Sequence, residues 1–265
     1  MKRLGASLAL VALTGCGRVG FDRVADAGPP DAGVSPYAMV VLSDDPVAYY
    51  RLSDLGGPAV RDSSSHANDG VLHVSGGSVG FGEIGALRAE PDTAMRLEGE
   101  GNPGTGSGAY VETPGAVAPF VGDFTIECWL RPLALPFGGY SNALYTYEDH
   151  TRSGFRTGWN VDLHALFWTS EGGGRSDIAS NGIVSPTGFT HVVFVRRGAE
   201  LTIYLDGVAD ITAPLDMVEP TSLAERGFGA FHGMPSSAVF DEVAIYGVAL
   251  PAARVGAHYA AGRAP

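Results

Sequence analysis

The sequence predicts an all-β protein built as a sandwich or barrel, and three observations carry that prediction. Short apolar runs rich in Val, Ile, Tyr, Phe and Trp recur along most of the chain, parted by clusters of Gly, Asp, Asn and Ser. Residues 190–207 have the form of a hairpin, and a single stretch at the C-terminal end reads as helix. In order, the runs place strands at 47–52, 94–97, 109–113, 124–131, 143–147, 159–163, 165–169, 190–196, 201–205 and 239–246. On the run from Phe124, residues Phe124, Ile126, Cys128 and Leu130 share a face, so Cys128 reads as a buried small hydrophobe. In the hairpin Leu201, Ile203 and Leu205 share one face while Thr202, Tyr204 and Asp206 share the other, the period of a half-buried strand. Asp206-Gly207 then supplies a tight turn. For the helix, Pro251 suits a first position, Val255 and Tyr259 fall at i and i+4, and Gly262 suits a cap.

Composition narrows the function. Among 265 residues there are 29 acidic and 17 basic side chains, for a net charge of −12. That balance offers no basic field for a phosphate backbone or an anionic membrane surface. Two cysteines make no disulfide scaffold. A content of 45% hydrophobic residues supplies a core, while 38 glycines and 17 prolines indicate many turns.

The N-terminus reads as an address. Lys2 and Arg3 precede an apolar run of about a dozen residues, short of the ~20 that span a bilayer, so residues 1–15 form a cleavable export signal. Leu13-Thr14-Gly15-Cys16 resembles a bacterial lipobox, which implies a lipid on Cys16, several acyl chains together giving stable membrane anchoring. Loss of Lys2, the sole lysine, and Arg3 takes the charge from −12 to −14. Residues 16–38, dominated by Ala, Asp, Gly and Pro, read as a flexible tether, and residues 39–265 as one domain.

Four groups of residues then carry a family resemblance. They are Ala48-Tyr-Tyr-Arg-Leu52 with Asn68-Asp-Gly70; Met95-Arg-Leu-Glu-Gly99 with Tyr110-Val-Glu-Thr-Pro114; Asp123-Phe-Thr-Ile-Glu-Cys-Trp-Leu-Arg-Pro132 with the hairpin ending at Gly207; and Phe240-Asp-Glu-Val-Ala-Ile-Tyr246 followed by Tyr259-Ala-Ala-Gly262. In this order they resemble the LamG-like jelly-roll domains of the concanavalin A-like lectin/glucanase superfamily. The resemblance implies a two-sheet antiparallel jelly-roll sandwich with one short C-terminal helix, its concave sheet presenting a ligand groove.

The resemblance also implies a structural Ca²⁺, with Asp241 as side-chain ligand and Asp62 and Asn68 from the loop 62–70. That loop is dense in the hard oxygens calcium takes, although Asp, Ser, Asn and Gly are also what turns use. The superfamily's glucanases carry paired glutamates on one strand face, and no such strand stands here: Pro91 and Ala94 interrupt the run from Glu90, and Asp241-Glu242 are expected on opposite faces. Gly76-Gly-Ser-Val-Gly80 and Gly80-Phe-Gly-Glu-Ile-Gly85 match nucleophile and dinucleotide patterns but lack the strand-turn-helix context, and read as turn glycines. Histidines show no zinc spacing. A sugar groove would draw on Tyr145, Tyr147, Trp159, Asp162, Trp168 and Arg175 of the middle segment, against the bland reading that strand aromatics are core. The expectation is a non-catalytic module for carbohydrate or protein binding and adhesion, held at a bacterial envelope membrane. The alternatives are an envelope glycoside hydrolase and a purely structural lipoprotein.

Overall fold

The computed structural model describes residues 35–88, 90–99, 108–117, 120–135, 142–149, 153–170, 175–218, 220, 225–229 and 236–265. The signal at 1–15, Cys16 and the tether up to residue 34 lie outside them. The chain begins with helix α1 (Pro36–Leu42), then β1 (Ala48–Tyr50), β2 (Ala59–Val60), β3 (Gly70–Ser75), β4 (Gly77–Ile84), β5 (Thr93–Gly99) and β6 (Gly108–Glu112). A 3₁₀ turn leads to β7 (Phe124–Pro132), β8 (Asn142–Glu148), β9 (Gly154–Trp159), β10 (His164–Ser170) and β11 (Arg175–Ile183). The remainder is β12 (Thr190–Arg197), β13 (Glu200–Leu205), β14 (Val208–Pro214), β15 (Glu225–Gly229), β16 (Ser237–Tyr246) and α2 (Ala252–Arg263).

All pairings are antiparallel and form two sheets. Sheet A runs β14-β13-β12-β7-β16-β5-β4, with β1 also on β16; sheet B runs β11-β10-β9-β8-β15-β6-β3-β2. Hairpin pairs at the edges alternate with central pairings between strands far apart in sequence, such as β12-β7, β7-β16, β8-β15 and β15-β6, which makes this a jelly-roll sandwich. The predicted face Phe124, Ile126, Cys128 and Leu130 enters the core between the sheets, with Phe155, Phe167, Phe194, Phe228 and Phe240. The opposite face of sheet A is buried as well: Trp129, Val193, Tyr204 and Tyr246 lie under Tyr37 and Val41 of α1 and Val255 of α2. The free edges meet too. Asp210 of β14 accepts the backbone N–H of Gly182 on β11 (2.9 Å), closing a seam that would otherwise expose unpaired strand edges.

The hairpin and its turn fold as expected: Asp206 (φ 50°) and Gly207 (φ 77°) both take positive φ, the type I′ pattern. Other expectations change. The tether was expected to reach residue 38, but Ser35 caps α1, its Oγ accepting from the Ala38 N–H at 2.9 Å, and Tyr37 is wholly buried, so residues 35–38 belong to the domain. A second helix therefore joins the predicted one, its seven residues too few to show an apolar period. Most of the glycine-rich run at 76–85 is a strand, β4, paired with β5, rather than a chain of turns, and a Cβ at Gly77 would overlap Glu98 O of β5 and the Gly108 backbone of the facing sheet. The run 159–163 ends a strand at Trp159 and turns at Leu163 (φ 65°).

Gly262 is not a cap but the second-last residue of α2, where a Cβ would lie 2.5 Å from Trp129 Cζ2 and 3.1 Å from Leu87 Cδ2. Gly262→Ala should therefore destabilise the domain by about 1–3 kcal/mol through overpacking, despite alanine's better helix propensity. A urea titration of the two proteins measures it.

Candidate functional site

The structure places three of the six predicted groove residues in the core. Tyr145, Tyr147 and Trp159 point between the sheets, among Phe120 and Phe155, where no ligand reaches them. The Tyr145 hydroxyl is paired with Thr113 Oγ1 at 3.0 Å, and burial, opposed by that bond, pushes its pKa up. Asp162 is exposed in the β9–β10 turn, its N–H bonded to Asn160 Oδ1. Arg175 opens β11, and its side chain lies outside the described ones. Of the four aromatics expected in the groove, only Trp168 faces the outside of sheet B, since its neighbour Phe167 enters the core, yet it is only 6% exposed.

Register carries that outer face across sheet B as one row: Asp177, Trp168, Arg156, Thr146, Gly227, Glu112 and Val71 are successive cross-strand partners. At its closed end Arg156 is ion-paired with Glu148, and the buried Thr146 hydroxyl has no partner. At its open end stands a group that the sequence reading missed. His73 and Tyr110 face each other as register partners and stack with centroids 4.8 Å apart and planes 12° from parallel. Glu112 lies two residues beyond Tyr110 on the same face, 3.0 Å from His73 Nε2, and about half of its side chain is exposed. The Tyr-x-Glu spacing of β6 was the signal available, because alternate strand residues share a face.

A second polar centre forms where β1, β5 and β16 converge. Arg51 reaches Glu90 (3.0 Å), Asp92 (3.0 Å) and Glu242 (3.2 Å), while Tyr49 donates to Glu242 and Ser53 to Asp92. Asp241 accepts the Ala86 N–H at 2.7 Å with one oxygen, and its other oxygen is buried without a partner. Burial, then Asp92, pushes the Asp241 carboxyl well above the usual range; burial, then a hydrogen bond with Asp92, does the same to Glu242. Asp241 and Glu242 do not diverge as strand alternation predicts. A bulge between Asp241 and Ala244, with Glu242 at φ 52°, turns both toward Asp92. Both are wholly buried, which keeps them from a polysaccharide.

The predicted calcium set divides in the same way. Asp62 spends its carboxylate on its own loop and β1, accepting from Tyr49 N, Ser64 N, Ser64 Oγ and Asn68 N at 2.7–2.8 Å. Asn68 donates to the Val47 carbonyl at 2.9 Å. Asp62 and Asn68 therefore act as turn hubs, and the structure does not gather them with Asp241. Among the described residues the donors that suit a hard cation are Glu90, Asp92 and Glu242, with the unpartnered Asp241 oxygen as an additional buried one.

This geometry defines an antiparallel β-sandwich with helices over the middle of one sheet's outer face. The chain belongs to the concanavalin A-like lectin/glucanases superfamily: residues 105–256 match its laminin G family model. Solved structures of binding domains share the fold. That of Paraclostridial Mosquitocidal Protein 1 superposes with a TM-score of 0.57 at 18% identity, covering 82% of this chain and 52% of that one. The binding domain of botulinum neurotoxin DC, in complex with SialylT, gives 0.58 at 14% identity, over 82% and 52%. The same domain in complex with rat synaptotagmin II gives 0.59 at 14%, over the same shares. This chain thus spans about half of those structures. The search of curated proteins found no match.

Arg51→Met would leave Glu90, Asp92 and Glu242 facing one another without their shared cation. We expect a loss of about 3 kcal/mol, read from urea titrations of the two proteins.

Proposed function

We propose that this chain is a non-catalytic carbohydrate-binding module, and that a sugar lies across the open end of sheet B on His73, Tyr110 and Glu112. The observation that carries the reading is the near-parallel His73–Tyr110 stack with a carboxylate beside it on an exposed sheet face. An aromatic face takes the apolar side of a pyranose ring, and a carboxylate accepts from its hydroxyls. The fold's neighbours support binding over catalysis, being binding domains, one of them in complex with SialylT. A protein ligand is the second reading, favoured by the synaptotagmin complex of another neighbour. We place the module at a bacterial envelope membrane on the lipobox at Cys16, where a Cys16→Ala chain would no longer take up labelled fatty acid.

Calcium belongs to the same proposal. Glu90, Asp92 and Glu242 would hold it, with the unpartnered oxygen of Asp241 as a further donor, and it would brace β16 rather than touch the sugar. Added calcium should raise the melting temperature of the wild type and leave Asp241→Asn unchanged; a wild-type melting curve indifferent to calcium and to chelator removes the cation.

For the sugar site, Tyr110→Ala should weaken binding to the best glycan of an array about tenfold, while the remote exposed Val208→Ala binds as wild type. Equal affinity of Tyr110→Ala and wild type would refute the platform.

A further inference from the structure

A polar network lies outside both sites, sealed between sheet A and the two helices. Its hub is Glu127 of β7, wholly buried. One oxygen accepts from the Tyr37 hydroxyl of α1 (2.8 Å) and faces His191 Nε2 of β12 (2.9 Å). The other faces His258 Nδ1 of α2 (2.8 Å) and accepts from the Tyr246 hydroxyl of β16 (3.3 Å). His258 has a carboxylate on each side, because its Nε2 lies 2.8 Å from Asp44 Oδ2, just past the end of α1. Asp44 is bound in turn by Arg254 of α2, which also reaches the Val40 carbonyl and Ser43 Oγ. Trp129 donates to Tyr37, and Tyr259 and Arg263 of α2 cover the Trp129 ring.

Two acceptors on one imidazole require both ring nitrogens to be donors, a condition only the imidazolium meets. A neutral ring would leave Glu127 and Asp44 facing each other across an uncharged group, one of them without its donor. Glu127's four partners sit on the two helices and the two neighbouring strands, and α1 is the first element of the domain. We propose that His258, bridging Glu127 and Asp44, is a pH-sensitive latch that docks the α1–α2 pair on sheet A and loosens it at alkaline pH while the sandwich stays folded.

The direction follows from the charges. Burial disfavours the His258 cation, but Glu127 and then Asp44 outweigh it and raise the pKa above the ordinary 6.5. A folded-state pKa above the unfolded one gives stability that is complete below about pH 6.5 and is lost as pH rises through the raised value. Glu127 sets the acid limit: burial raises it, yet His258 and His191 together hold it far below the usual range, so its contribution is present above about pH 4.5 and fades below. Docking is therefore strongest between those limits.

Hydrogen exchange of the full-length chain, followed by mass spectrometry from about pH 5 to about pH 10 and corrected for intrinsic rates, tests the latch. Peptides from α1 and α2 should lose protection about tenfold through the His258 titration, while β7 and β12 keep theirs. Asp44→Asn removes one of the two carboxylates and should move the midpoint to lower pH, and His258→Asn should flatten the profile. Should His258→Asn fail to fold, the Asp44→Asn shift decides alone. Loss of protection in the helices and in β7 together, or an unchanged midpoint in Asp44→Asn, would overturn the proposal.

Discussion

Glu127 is a carboxylate placed where no water reaches it, and much of sheet A is arranged around satisfying it. Taking such a charge out of water costs several kcal/mol unless hydrogen bonds and an opposite charge replace the lost hydration. The replacements come from four elements: Tyr37 on α1, His191 on β12, Tyr246 on β16 and His258 on α2. Each donor is fixed only when its element is docked, so one buried group ties the first helix, the last helix and three central strands to a single arrangement. Apolar contacts of Val41, Leu250 and Val255 with the same face supply the area that polar groups do not.

This cap decides where a ligand can go. The central strands of sheet A are buried on both faces, one by the opposing sheet and the other by the helices, while the edge strands β4 and β14 stay partly exposed. The outer face of sheet B remains, and it is open where β3 and β6 run, at His73, Tyr110 and Glu112. The carboxylate centre around Arg51 is of the other kind. Its groups are turned inward by the bulge in β16 and hold β1, the turn into β5 and β16 together. Catalysis needs carboxylates within reach of substrate, and Asp241 and Glu242 are wholly buried.

Much of the fold was legible in the residues. The hairpin was readable because Leu201, Ile203 and Leu205 alternate with polar neighbours and Asp206-Gly207 takes the positive φ that the turn needs. The face of β7 was readable for the same reason, and Cys128 is buried in the core as its alternation implies. Strands with little apolar contrast were not: β4, with three glycines in eight residues, looks like turns, and only the close approach of Glu98 O and the Gly108 backbone accounts for the missing side chain at Gly77. The predicted groove failed at Tyr145, Tyr147 and Trp159 because aromatics on a two-sided strand announce burial without saying on which side. The turn role of Asp62 was not legible because a turn-building aspartate and a cation-binding one have the same sequence surroundings.

By itself, then, the sequence determined the class of protein: a β-sandwich of the concanavalin A-like kind, acidic, with one C-terminal helix, since period, turn residues and motif order are local properties of the chain. The tertiary structure alone decided which polar residues meet. His258 and Asp44 are separated by most of the chain, as are Arg51 and Glu242, and their pairing depends on strand register and on one bulge. The same holds for His73 and Tyr110, adjacent only because β3 pairs with β6 in that register. Alternation tells which residues share a face of one strand; which strands lie side by side is settled by burial of the whole core at once.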